Sequence, residues 1–109
     1  MAFWTYILLC ADRRYYTGHT DNIEIRFAQH QAGGYCEFTS RRLPVQMAWS
    51  QEFQTRIEAL EAERRIKSWS RAKKDALIRG DWAALSYYAK PPKERPSTSL
   101  GTNGVGSIL

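Results

Sequence analysis

The side chains best suited to chemistry in this sequence are two phenols, two imidazoles, a guanidinium and a carboxylate. Imidazoles titrate near neutral pH, a guanidinium binds oxyanions, and a carboxylate can hold a hard cation that keeps several waters. A phenol with a pKa near 10 is a poor base at neutral pH unless a nearby cation stabilises its anion. We expect these groups to converge on one solvent-reachable pocket. They are Tyr6, Tyr16, His19, Arg26, His30 and Glu63.

Both tyrosines lie in segments that are typical of β-strands. Residues 2–10 form an almost continuous apolar and aromatic run, and residues 15–19 form a second segment that Gly18 brings to its end. The short polar break between them predicts an antiparallel hairpin. Because side chains alternate along a strand, Tyr6 and Tyr16 can share a face across this hairpin. The alternative is that both are ordinary strand aromatics with hydrated hydroxyl groups.

The arginine and one histidine lie on a helix that is predicted to begin near Asn22. Asp21 is the expected N-cap, with a glutamate three positions later to complete a capping box. Arg26 and His30 are four residues apart, so they lie one above the other on this helix. As alternatives, Arg26 pairs with a neighbouring carboxylate, and His30 is a cation that interacts with the C-terminal end of the helix dipole.

The carboxylate lies on a second predicted helix, which a capping box at Thr55 and Glu58 opens. The apolar side of this helix carries four residues at helical spacing, Ala59, Ala62, Ile66 and Trp69. Glu63 lies at the margin of that side and is therefore partly desolvated, a position that suits a hard-cation ligand. The alternative is a surface ion pair with Lys67 one turn later, which contributes only tenths of a kcal/mol.

The remaining pattern predicts a small mixed domain. Residues 44–53 favour a third strand after an irregular loop over 35–43, and residues 71–79 form a helix between a serine cap and a glycine stop. The order is β-β-α-β-α-α, a small α/β (α+β) architecture. We expect one domain over residues 1–87. Proline, glycine, serine and threonine then predict a flexible polar tail over residues 88–109.

Composition excludes several classes of protein. Hydrophobic residues make up 43% and charged residues 25%, which is typical of a folded, water-soluble chain. The uncharged and largely apolar stretch over residues 1–11 has roughly half the length of a membrane span and does not resemble a signal peptide. Cys10 and Cys36 form neither a disulfide framework nor a zinc motif. We therefore expect no membrane association and a cytoplasmic location.

Positive charge is concentrated in one segment. The net charge is +5, and residues 64–79 carry seven basic side chains against one acidic side chain. A local cluster of this kind suits a polyanion such as nucleic acid. The alternative is a solvated helix face without a partner.

In their order and spacing, these residues resemble the GIY-YIG endonuclease domain, and especially its small single-domain bacterial members. Tyr6 stands at the end of the first triplet, whose leading glycine is replaced by Trp4, and Tyr16 and Gly18 keep the second triplet as Tyr-Thr-Gly. Arg26 matches the helical arginine of the family. The resemblance covers residues 2–86 and rests on the segments FWTYILLC, YYTGHTDN, EALEAERRIK and SRAKK.

The resemblance implies a three-stranded antiparallel sheet flanked by helices and a metal-assisted hydrolysis of DNA phosphodiester bonds. One divalent cation, Mg²⁺ or Mn²⁺, would be held by Glu63 and waters. Tyr6 would act as general base or would position the attacking water, and Arg26 would clamp the phosphate and stabilise its developing charge. The residues that would orient water or shuttle protons are Tyr16, His19 and His30.

The expected partner is DNA, single-stranded or branched, in repair or recombination, without a small-molecule cofactor. The basic residues expected to contact phosphates are Arg41, Arg42, Lys67, Arg71, Lys73 and Lys74. The alternative for the loop that carries Arg41 and Arg42 is that it is solvated and contacts no phosphate. The alternative function is a non-catalytic nucleic-acid-binding module with the same fold. A third hypothesis is a small protein whose tail recruits a larger complex.

Overall fold

The computed structural model describes residues 2–88, and its contacts divide the chain into two units, residues 1–68 and 69–109. The predicted tail over residues 88–109 lies outside the described residues except for Tyr88. Within residues 2–88, no helix has the length and apolar character that crossing a bilayer requires. The first unit contains β1 (Phe3–Leu9), β2 (Tyr15–Thr20), α1 (Ile23–Ala32), α2 (Glu37–Ser40), β3 (Gln46–Phe53) and α3 (Arg56–Lys67). The second unit contains α4 (Arg71–Arg79) and α5 (Trp82–Tyr88).

The three strands form an antiparallel sheet in the order β2-β1-β3, flanked by helices, which confirms the expected fold class. In the pairing of β1 with β2, Tyr6 lies opposite Gly18 and Thr5 lies opposite His19. The predicted element order is also found, with α2 and α5 as additions. The four-residue helix α2 lies within the segment that was expected to be an irregular loop, and it is too short to show a helical period in the sequence.

The two faces of the sheet are covered by different helices. On one face, Tyr6 and Leu8 of β1 form a core with Val45, and partly buried residues of α1 and α2 pack against it. On the other face, Thr5 is fully buried and donates a hydrogen bond to the backbone carbonyl of Ala59 on α3 at 2.7 Å. Alternate residues of one strand therefore enter two separate environments.

Helix capping follows the sequence at most positions. Thr55 forms the predicted capping box on α3, and Ser70 caps α4 as predicted. The expected cap at Asp21 is wrong, because the N-cap of α1 is Asn22, whose side chain accepts the backbone N–H three residues on. Thr20 accepts the backbone N–H of Asn22 at 3.1 Å. This bond fits the extended backbone of Asn22 (φ −148°, ψ 100°) that an N-cap requires.

Candidate active site

Tyr6 and Tyr16 lie on one face of the β1–β2 hairpin, as predicted. Their ring centroids are 6.4 Å apart. Tyr6 is 1% exposed, and its phenol lies directly over Gly18. A Cβ atom at Gly18 would lie 2.6 Å from the Tyr6 hydroxyl oxygen, a distance that such atoms do not adopt. The glycine of the second triplet is thus required here by the close approach of the first tyrosine.

His30 completes this arrangement from α1. Its Nε2 lies 2.9 Å from the Tyr6 hydroxyl oxygen, and its Nδ1 lies 2.8 Å from Oγ1 of Thr39 on α2. The imidazole is fully buried and packs edge-on against Tyr16, with centroids 5.0 Å apart. We call these four residues, Tyr6, Tyr16, His30 and Thr39, the tyrosine cluster.

The members of the tyrosine cluster are held uncharged at neutral pH. Burial, with the nearby charge of Arg26, lowers the pKa of His30 to about 4. This disagrees with the alternative in which His30 is a cation at the end of its helix. Burial raises the pKa of Tyr6 to about 12 even though a hydrogen bond and the charge of Arg26 oppose the rise. Burial and the proximity of Tyr6 also raise the pKa of Tyr16.

Arg26 lies beside β2, which is an edge strand of the sheet. Its Nη1 donates to the backbone carbonyl of His19 at 3.2 Å, and its Nε donates to the side chain of Gln29 at 3.1 Å. The guanidinium stacks over the ring of Tyr35, 4.5 Å from the centroid. Arg26 also lines an open depression of about 370 Å³ beside the first turn of α1.

Glu63 lies on the opposite face of the sheet, together with the side chain of His19. The two carboxylate oxygens have different partners: Oε1 lies 2.5 Å from Nδ1 of His19, and Oε2 lies 2.7 Å from Nζ of Lys67. Burial alone would raise the pKa of Glu63, but the hydrogen bonds from Lys67 and His19 outweigh it and the net shift is downward. We call His19, Glu63 and Lys67 the glutamate cluster.

The expected single pocket is therefore divided into two clusters. Tyr6 and Tyr16 point to the α1 and α2 side, whereas the side chains of His19 and Glu63 meet on the α3 side. The two clusters are linked at the edge of β2, because His19 bonds Arg26 through its backbone and Glu63 through its ring. The ion pair with Lys67, the alternative considered for Glu63, is formed in addition to the contact with His19.

The donor set of the site suits a hydrated cation rather than a full protein cage. No group of three or more histidine, cysteine, aspartate or glutamate residues surrounds a possible metal position among residues 2–88. Glu63 offers one ionised carboxylate, and its side chain is 12% exposed, so it lies close to the surface of the fold. One carboxylate together with waters and substrate phosphate oxygens is a common arrangement for Mg²⁺.

The predicted phosphate-binding residues lie in different settings. Arg42 donates to the carboxylate of Asp12 and to the carbonyl of Phe38, each at 2.9 Å, so its position is explained by contacts within the chain. Arg41 forms an exposed ion pair with Glu37. Lys67 belongs to the glutamate cluster. The three helical residues on α4 of the second unit are Arg71, Lys73 and Lys74. Contacts of all six residues with DNA stay predictions.

The sequence pattern did not single out Tyr35, Cys36 or Thr39. Tyr35 holds the guanidinium of Arg26 and packs edge-on against His30, with centroids 4.7 Å apart. Thr39 is fully buried beneath His30. These residues follow the double glycine after α1, and only the return of the chain over the sheet brings them to the tyrosine cluster. No periodic signal marks such a contact.

Comparison with known proteins gives concordant matches. A family model described as the GIY-YIG catalytic domain matches residues 2–75. A UPF0213 protein of Natronomonas pharaonis is 43% identical over 75 residues, which are 69% of this chain and 88% of that protein. One of Listeria monocytogenes is 42% identical over 73 residues, covering 67% and 82% of the two chains. A solution NMR structure of a protein from E. faecalis has a TM-score of 0.53 at 33% identity and covers 75% of this chain and 88% of that one.

Proposed function

The chain belongs to the GIY-YIG family, and from this premise we propose that it is an endonuclease that hydrolyses DNA phosphodiester bonds with one divalent cation, Mg²⁺ or Mn²⁺. The observation that carries the proposal is the position of His19 between Arg26 and Glu63. A cation that can bind phosphate and an anion that can hold a metal ion are thereby joined through one residue of an edge strand. A cytoplasmic location and a role in DNA repair or recombination belong to the same proposal.

Arg26 is the residue that would bind the scissile phosphate. A guanidinium has five N–H groups arranged as a fork, and the bonds to His19 and Gln29 fix its plane. The stacked ring of Tyr35 holds it from one side. A guanidinium held in this way stabilises the negative charge that develops on phosphate oxygens without having to reorganise during the reaction.

Glu63 is the residue that would hold the divalent cation. Its lowered pKa keeps it ionised at neutral pH, and its position at the rim gives a cation access to its oxygens. The bound cation would supply positive charge to a phosphate oxygen and to the leaving oxygen. His19 fixes the orientation of the carboxylate, so it is a positioning residue in this proposal.

The surroundings of Tyr6 favour the positioning of the attacking water over the role of general base. With a pKa of about 12, its ionisation at pH 7 costs about 7 kcal/mol, so the phenol is protonated in this state. The fixed hydroxyl group, bonded to His30, is suited to positioning the attacking water. Tyr16 would act beside it in the same manner, since its pKa is also raised.

The proposal is tested with the purified chain and labelled single-stranded, duplex and flap DNA, each with Mg²⁺, Mn²⁺ or a chelator. We expect metal-dependent cleavage by the parent and at least a hundredfold lower rate for Glu63→Gln, because the amide loses the negative charge that holds the cation. The matched control is Glu61→Gln, an exposed residue of the same helix with the same change of charge. It should retain the parental rate.

Two results would contradict the proposal. Equal cleavage by the parent and Glu63→Gln would show that the activity does not come from this site. Binding of DNA without cleavage under every condition would favour the alternative, a non-catalytic nucleic-acid-binding module with the same fold. The basic residues of α4 would then carry the function of the chain.

A further inference from the structure

A continuous chain of hydrogen bonds leads from Tyr6 through His30 and Thr39 to Cys36. The Tyr6 hydroxyl oxygen lies 2.9 Å from Nε2 of His30, and Nδ1 of His30 lies 2.8 Å from Oγ1 of Thr39. Oγ1 of Thr39 in turn lies 3.1 Å from the sulfur of Cys36. Tyr6, His30 and Thr39 are each at most 1% exposed, so water does not compete for these bonds. The proton positions along the chain are therefore set by these four side chains and by Arg26, which donates a hydrogen bond to Tyr6.

The direction of the bonds depends on the tautomer of His30. A neutral imidazole carries one N–H, so one ring nitrogen donates and the other accepts. A phenol is a better donor than an imidazole N–H, and an imidazole nitrogen is a better acceptor than a phenol oxygen. The Tyr6 hydroxyl therefore donates to Nε2. Nδ1 then carries the proton and needs an acceptor, which Thr39 provides while its own hydroxyl donates to the sulfur of Cys36.

We propose that Thr39 is a positioning residue that holds His30 in the Nδ1–H tautomer and thereby fixes the Tyr6 hydroxyl as a donor to His30. With its proton directed to His30, the phenol oxygen acts only as an acceptor, which suits it to the hydrogen bond from Arg26 and to holding the guanidinium that would bind the phosphate. This catalytic consequence rests on the proposed function. The tautomer and its dependence on Thr39 do not.

The direct test is two-bond ¹⁵N–¹H correlation NMR of the histidine rings in the full chain, which distinguishes the two neutral tautomers. The chain has only two histidines, so a His19→Gln variant assigns both sets of signals. The parent and Thr39→Ser should show the Nδ1–H tautomer for His30. Thr39→Val removes the acceptor, and the population should shift to the Nε2–H tautomer.

Thr17→Val is the matched control. Thr17 is also a buried threonine, but it points to the opposite face of the sheet, and its hydroxyl has no hydrogen-bond partner among residues 2–88. The same change of hydroxyl to methyl should leave the spectrum of His30 unchanged. Cys36→Ala should also keep the Nδ1–H tautomer, because Thr39 remains the nearer acceptor: its Oγ1 lies 2.8 Å from Nδ1, whereas the sulfur lies 4.0 Å away.

The activity readout separates positioning from binding. Thr39→Val should lower kcat at least tenfold and leave the Kd for DNA within twofold of the parent, and Thr39→Ser should restore kcat. An Nε2–H tautomer in the parent, or an unchanged Nδ1–H tautomer in a folded Thr39→Val variant, would overturn the inference. If Thr39→Val does not fold, the parental spectrum still decides. If the parent does not cleave DNA, the proposed function fails while the tautomer result stands.

Discussion

The two faces of the same sheet hold opposite kinds of polar chemistry. In the tyrosine cluster, His30 has a pKa of about 4 and Tyr6 a pKa of about 12, so both are neutral at pH 7. In the glutamate cluster, the carboxylate of Glu63 is ionised and lies between Lys67 and His19, close to solvent. Alternate residues of β2 supply both clusters, since Tyr16 points to one face and His19 to the other.

The difference follows from the cost of burying charge. A buried group without water can keep a defined hydrogen-bond direction, but its ionisation is expensive. A carboxylate at the rim can remain ionised and can exchange one partner for another, such as a hydrated cation. The tyrosine cluster is therefore suited to orienting uncharged groups, and the glutamate cluster to binding charged ones.

The largest change expected on the tyrosine side is that of Gly18→Ala. The new Cβ atom would lie 2.6 Å from the hydroxyl oxygen and 2.8 Å from Cζ of Tyr6, and this ring is buried and hydrogen-bonded to His30. We expect the free energy of unfolding to fall by roughly 3 to 5 kcal/mol, because over-packing and the loss of a buried hydrogen bond add. Urea denaturation measures this value.

The double variant Gly18→Ala with Tyr6→Phe provides the control for that prediction. Removing the hydroxyl oxygen removes the closest contact, so the double variant should cost less than the sum of the two single variants. Neutral surface changes alter the free energy of unfolding by up to about 0.5 kcal/mol. If Gly18→Ala changes it by no more than this, the two faces do not differ in packing as described.

The two clusters should lose stability in different pH ranges. The pKa of His30 is about 4 in the folded chain and about 6.5 when unfolded, so the unfolded chain binds more protons between these values. The stability contributed by neutral His30 is complete above pH 6.5 and decreases as the pH falls toward 4, by about 3 kcal/mol in total. Glu63, whose pKa is lowered from 4.5, contributes stability that is lost only as the pH falls below that value.

Urea denaturation from pH 7.5 to pH 3.5 measures both effects. His30→Gln should flatten the dependence between pH 6.5 and 4.5, and Glu63→Gln should affect it only below pH 4.5. If the slope between pH 6.5 and 4.5 is the same in His30→Gln as in the parent, the buried, neutral state assigned to the tyrosine cluster is incorrect.

The smallest effect concerns two threonines on the α3 side. Thr5 donates to the carbonyl of Ala59 at 2.7 Å, whereas the hydroxyl of Thr17 has no partner among residues 2–88. We expect Thr5→Val to lower the free energy of unfolding by about 1 kcal/mol and Thr17→Val to raise it by up to about 1 kcal/mol. Thermal unfolding of the two variants compares them directly. Equal shifts would refute the assigned bonding.

Much of the local structure could be predicted because its signals are local. The capping residues Thr55 and Ser70 bond backbone groups within the next three residues, so their types alone indicate the helix starts. Asp21 and Asn22 are both good caps, and the sequence did not distinguish them. In the structure Asn22 is the cap, and its backbone N–H donates a hydrogen bond to Thr20 at the end of β2.

The contacts of the site also divide into those that local sequence signals predict and those that they do not. Alternation along a strand and the helical repeat are properties of neighbouring residues, so the sequence itself determined that Tyr6 and Tyr16 share a face and that Arg26 and His30 lie on one helix. Which helix covers which face depends on contacts between residues far apart in the chain, such as the contact between His19 and Glu63. Only the tertiary structure therefore decided that α3 brings Glu63 to His19 and that Thr39 lies beneath His30, because these contacts join residues whose sequence separation carries no periodic signal.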